Sequence, residues 1–103
     1  MGNLQCARPI HPGEVLKDEI GFRHISQKEL SKRMGLSYNI LNDILNGRRP
    51  LTTNTAMLFE AALDVPADSL MRIQLKYNMS LASQDKTLAK RMAEIRKLTA
   101  SLL

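Results

Sequence analysis

Apolar residues recur along this chain at spacings of three and four, interrupted at short intervals by Gly, Pro, Ser and Thr. That period belongs to amphipathic helices, and six helices with no strand are expected. Pro12 stands where a first helical position would be, with Val15, Leu16 and Ile20 on one face, so helix 1 is predicted over about 12–21, stopping near Gly21. In "ISQKEL" Ser26 can cap a second helix and Glu29 stands three residues on, the spacing of a capping box, with Ile25 and Leu30 at the positions of a hydrophobic staple. Gly35 can take the left-handed conformation that ends this helix, and Ser37 caps the next one, predicted from Tyr38 to about Asn46 and closed by Gly47. Thr52 caps a fourth helix with Ala56, Phe59, Ala62 and Leu63 facing inward. A fifth, about 67–79, carries Leu70, Ile73 and Tyr77 along one side. After "SLAS" a sixth, about 84–101, bears Leu88, Met92, Ile95, Thr99 and Leu102 as a stripe suited to packing on another helix.

The stretch "QKELSKRMGLSYNILNDILNG" is the most informative part of the pattern. At 100° per residue, Ile40, Leu41, Ile44 and Leu45 fill one arc of helix 3, while Tyr38, Asn39, Asn42 and Asp43 fill the opposite one. One face is core and the other carries the donors and acceptors that base edges in a major groove require. A short glycine-bearing turn between helices 2 and 3 is the joint of a helix-turn-helix, in which one helix crosses the phosphates and the next enters the groove. Tyr38, Asn39, Asn42 and Asp43 are therefore the expected base contacts. Gln27 and Lys28 at the start of helix 2, Ser37, and Arg48 and Arg49 after helix 3 are the expected phosphate contacts.

Charge strengthens that reading. The 103 residues carry a net charge of +5, and it is concentrated in residues 23–49 and 86–97, which together hold eleven basic and three acidic side chains. Basic segments attract a polyanion, although a lone basic run is more often a solvated helix face. Length fits one domain with a modest core, for which a dimer is expected. Cys6 is the single cysteine, so no disulfide framework or multi-cysteine zinc site can form within one chain. No signal-peptide core and no membrane-length apolar run is present, which points to the cytoplasm and to no membrane partner.

No set of nucleophile, base and orienting residue stands out, and no cofactor, metal site or enzymatic activity is expected. His11 before Pro12 reads as a helix-start residue, and His24 has no ligand partner at metal-binding spacing.

The segments "HPGEVLKDEI", "SQKELSKRMGLSYNILNDILNGRRPLT" and "TAMLFEAAL" resemble the HigA-type antitoxins, or addiction-module antidote proteins, of the Xre/lambda-repressor-like helix-turn-helix family. The resemblance covers about two-thirds of the chain, with a weaker match continuing to Gln74. It implies an all-α, lambda-repressor-like helix-turn-helix bundle of about five helices plus a C-terminal helix. It also implies a homodimer on a palindromic operator, repression of its own operon, and neutralisation of a RelE-like RNase toxin. On it, residues 1–10 form a flexible N-terminal segment, 11–80 the DNA-binding domain and 81–103 a helix for dimerisation or partner contact. The chain departs from the family at Ser69 and Leu70, where an aromatic pair is usual, at Ile40, often polar, and at Leu58, often charged. Leu58 is either an exposed contact for a partner or simply buried. Two other readings remain open: a stand-alone Xre-family regulator, and a toxin-neutralising module that does not bind DNA.

Overall fold

The computed structural model of the chain describes residues 8–102. Cys6 and most of the N-terminal segment read as flexible lie outside the described residues. Among those described, six helices and no strand are present: α1 Pro12–Phe22, α2 Gln27–Met34, α3 Tyr38–Leu45, α4 Thr53–Leu63, α5 Ala67–Ser83 and α6 Lys86–Ala100. None of these is long and apolar enough to cross a membrane.

The helix starts follow from side-chain caps. Ser26 Oγ accepts from the amide of Glu29, Ser37 Oγ from that of Ile40, and Thr52 Oγ1 from that of Thr55, each satisfying a donor the first turn leaves open. The reciprocal half of the capping box expected at α2 is not formed, because the Glu29 carboxylate turns instead to Arg33 Nε at 3.1 Å. A complete box occurs at α1: His11 caps with its side chain, and Glu14 returns a bond to the His11 amide at 3.2 Å.

Three successive helices end in the same way. At the close of α2 the Gly35 amide bonds to Lys32 and the Leu36 amide to Ser31, with Gly35 at φ 70°. At the close of α3 the Gly47 and Arg48 amides bond to Ile44 and Asp43, with Gly47 at φ 75°. Both are Schellman motifs in which glycine accepts the left-handed backbone without a Cβ clash. Helix α1 ends identically but through His24, whose φ is 56°, with the His24 and Ile25 amides bonded to Gly21 and Ile20. The helix ends one residue beyond Gly21, near where it was expected to stop, and a Cβ placed on Gly21 would meet nothing within 4 Å.

Two further expectations are corrected. Helix α5, expected to end near residue 79, continues through Ser83, because residues 80–83 contain neither proline nor glycine and Asp85 caps the next helix by accepting from the amides of Thr87 and Leu88. The boundary expected between residues 80 and 81 therefore falls inside α5. Ala62 is exposed rather than inward, since the inner face of α4 is carried by Ala56, Phe59 and Leu63.

The core unites α1 to α5. Leu16 and Ile20 from α1, Leu30 and Met34 from α2, Leu41, Ile44 and Leu45 from α3, Leu51 from the following loop, Phe59 and Leu63 from α4, and Leu70 from α5 are all buried together. Helix α6 buries no residue and meets the rest of the chain at its joint with α5.

Candidate nucleic-acid interface

The position of α3 is fixed from three sides. Its inner arc is the core stripe just described. At its C-terminal end, Gly13 of α1 lies so close that an added Cβ would overlap the Ile44 carbonyl oxygen and sit 2.9 Å from the carbonyl carbon. Glycine is required there because two backbones meet without room for a side chain. Lys17 Nζ then donates to Asn46 Oδ1 at 2.9 Å, tying the same end of α3 to the middle of α1.

His11 joins this region to the loop after α3. Its Nδ1 accepts from the Gly13 amide at 2.9 Å, so Nε2 carries the proton of the neutral ring. The ring is buried and packs edge-on to Tyr77 with centroids 4.9 Å apart. Burial pushes its pKa below the ordinary 6.5, against the opposing effects of the nearby Arg49 backbone and of Glu14. Arg8 makes two bonds to the Glu14 carboxylate at 2.7 and 2.8 Å and holds its pKa down at about 2.

The loop 48–51 is held from below as well. The buried Leu51 amide donates to Gln74 Oε1 at 2.8 Å, and Gln74 Nε2 donates to Asn78 Oδ1 at 2.9 Å. A buried amide without such an acceptor would cost about 1–3 kcal/mol, so Gln74 fixes where Arg48 and Arg49 emerge.

On this frame the expected residues fall as follows. Tyr38, 48 % exposed, and Asn39 stand at the outward start of α3. Asn42 and Asp43 follow on the same arc, half-buried and already engaged. Arg48 folds back along the helix rather than reaching away from it: Nη2 donates to Asn42 Oδ1 at 2.7 Å and Nε to Asp43 Oδ1 at 3.1 Å, while Arg49 lies 4.0 Å from the other carboxylate oxygen. The Asp43 charge is thereby compensated, which matters on a face offered to an anion. Ser37 spends its hydroxyl oxygen on the α3 cap, and Lys28 is exposed on the first turn of α2. Gln27 Nε2 is shielded from water and has no acceptor among the described residues.

Sequence reasoning missed Gly13, Gln74 and the folded-back Arg48. A signal for the first was present, since glycine in a helix's first turn costs about 1 kcal/mol against alanine and calls for a packing reason. The other two act across loops that no helical period describes. Leu58, left open between contact and burial, is 40 % exposed and lies in an open groove between α2 and α4, beside Ile25, Leu30 and Met34.

Comparison with known proteins agrees with this architecture. The helix-turn-helix family matches residues 23–70. Virulence-associated protein I of Dichelobacter nodosus is 32% identical over 78 residues, covering 75% of this chain and 72% of that protein. Among solved structures, an addiction module antidote protein of the HigA family from Coxiella burnetii superposes with a TM-score of 0.71 at 33% identity, covering 88% of this chain and 95% of the other. The Pseudomonas aeruginosa antitoxin HigA, solved with the higBA promoter, gives a TM-score of 0.70 at 32% identity over 82% of this chain and 91% of its own. Resemblance in sequence, helix order and helix-turn-helix geometry thus converge on one assignment: this chain belongs to the HigA family of addiction-module antidote proteins.

Proposed function

We propose that the protein is a sequence-specific binder of duplex DNA that represses its own operon and neutralises a RelE-like RNase toxin, acting as a homodimer on a palindromic operator in the cytoplasm. The observation that carries the DNA reading is the outward arc of α3. It offers Tyr38 and Asn39 free at its start and a charge-compensated Asp43 beside Asn42, all on a helix locked in place by Gly13 and Lys17, with the loop after it held by Gln74. Tyr38, Asn39, Asn42 and Asp43 face the base edges in this reading.

Gln27, Lys28, Ser37, Arg48 and Arg49 flank that arc as phosphate contacts. Gln27 fits the role because its unpartnered Nε2 costs free energy until an acceptor arrives, and the first-turn amides of α2 add donors beside it. The related Pseudomonas protein solved with promoter DNA supports the same use of the fold. Two copies would place their α3 helices one helical turn apart, roughly 34 Å, with α6 as the element for dimerisation or toxin contact.

Fluorescence anisotropy on duplex DNA from the protein's own upstream region, against a scrambled duplex at two salt concentrations, tests the DNA reading. Preference for the upstream duplex on the order of 10³-fold, retained at the higher salt, is the expected result. Equal binding to both duplexes that disappears with salt overturns it. The antitoxin half is tested by co-expression with the adjacent gene: co-purification with a small basic RNase, and suppression of its RNA cleavage, is expected. Operator binding without either leaves a stand-alone regulator.

A further inference from the structure

Helix α3 carries two asparagines on its outward arc, and they stand in different hydrogen-bonding states. Asn39 is exposed, and neither end of its amide is engaged among the described residues. It can therefore offer a donor and an acceptor together, the pair that matches N6 and N7 of adenine.

Asn42 is already engaged. Its Oδ1 accepts from Arg48 Nη2 at 2.7 Å. A guanidinium has N–H donors and no acceptor, so the amide atom facing it has to be the oxygen, and Nδ2 points the other way. Arg48 is held in that pose at two further points: its Nε donates to Asp43 Oδ1 at 3.1 Å, and its backbone amide donates to the Asp43 carbonyl at 2.8 Å in the turn that ends α3. One lone pair of Oδ1 is thereby taken and the other lies beside a guanidinium whose positive charge disfavours a second incoming donor, while Nδ2 has no acceptor among the described residues.

We propose that Arg48 is a specificity-determining residue. By engaging one lone pair of the Asn42 carbonyl and setting a positive charge beside the other, it biases that asparagine away from adenine and toward guanine. Guanine presents two acceptors, N7 and O6, to the major groove, and the free Nδ2 hydrogens can meet them. Adenine presents its N6 amino group beside N7, and that donor would have to share the Asn42 oxygen with the Arg48 guanidinium and lie against its positive charge. Arg48 thus acts through Asn42 without touching the base itself, and the same helix reads two different bases with two copies of one residue. This inference rests on α3 being the base-contacting helix.

The test uses the full chain and upstream duplexes carrying each base pair in turn, titrated by anisotropy with wild type, Asn42→Ala, Arg48→Ala and Arg49→Ala. Asn42→Ala locates the base pair by erasing discrimination there. At that pair the wild type should favour guanine over adenine by roughly tenfold or more, and Arg48→Ala should erase or reverse the ratio. Arg49→Ala removes the same charge without touching Asn42, so it should weaken both duplexes and leave the ratio alone. If Arg48→Ala lowers the guanine and adenine duplexes by the same factor as Arg49→Ala does, or if the wild type favours adenine or thymine there, selective operator binding survives and this inference falls alone. Failure of the wild type to distinguish upstream from scrambled DNA overturns both.

Discussion

Helices α3 and α6 are each capped by a polar side chain and carry an apolar stripe at helical spacing, yet they end up in opposite surroundings. In α3, Leu41, Ile44 and Leu45 are buried among residues from four other helices. In α6, Leu88, Met92 and Ile95 remain 37%, 40% and 52% exposed, and Leu98 and Leu102 more so. Local signals specify that a segment is helical. They do not specify what its stripe will meet, because that depends on whether the chain folds a matching apolar face opposite it. The stripe of α3 finds one within its own chain; that of α6 stays exposed.

The contrast can be broken most forcefully in the body. Phe59→Ala should cost about 3–5 kcal/mol, read from urea unfolding, since a large ring at the centre of α1 to α5 leaves a cavity that rigid neighbours cannot fill. Gly13→Ala comes next: the clash with the Ile44 carbonyl should cost about 1–3 kcal/mol and displace α3, so DNA affinity should fall alongside the unfolding midpoint. A variant as stable as wild type would show that the two helices part freely.

Moving a glycine sharpens the picture in the other direction. Gly21→Ala together with His24→Gly places glycine at the left-handed residue and removes it from the exposed helix, and should raise stability by about 1–2 kcal/mol. A null result in thermal unfolding would mean that His24 adopts its backbone without strain.

Acid acts through two groups at the start of α1. The lowered pKa of His11 means that the unfolded chain takes up its proton first, so stability should fall as pH drops below about 6.5. Glu14, held at about 2 against an ordinary 4.5, contributes stability that is present above pH 4.5 and lost between there and 2. Its ion pair with Arg8 is exposed, so that second loss should be small. His11→Asn, which keeps a capping side chain, should flatten the upper part of the profile and leave the lower part.

The smallest change in stability is expected from the largest deletion. Ending the chain after Ser83 removes α6 but no buried residue among those described, and should shift unfolding at low protein concentration by no more than about 0.5 kcal/mol. If α6 joins two copies, light scattering should show the mass halved.

Much of this architecture is legible in the sequence because it is local. Ser26, Ser37 and Thr52 announce helix starts, Gly35 and Gly47 announce stops, and the two arcs of α3 follow from their spacing. What escaped is non-local or depends on a choice among partners. The acceptor for Leu51 comes from Gln74, 23 residues away, and Gly13 answers to a carbonyl on another helix. Glu29 prefers Arg33 to the cap it was expected to complete. Arg48 turns back on α3 where a loop arginine would be expected to reach into solvent.

The meeting of Gly13 with Ile44 has one more implication. Side chains can repack around a mutation and absorb an error of half an ångström, but here the touching surfaces are both main chain and have no rotamers to adjust. The contact therefore works as a mechanical datum: it sets how far α3 stands out from the body independently of the residues chosen for its outer face. Those outer residues can then be exchanged freely, and a new operator specificity tried, without recalibrating the depth at which the helix would enter a groove.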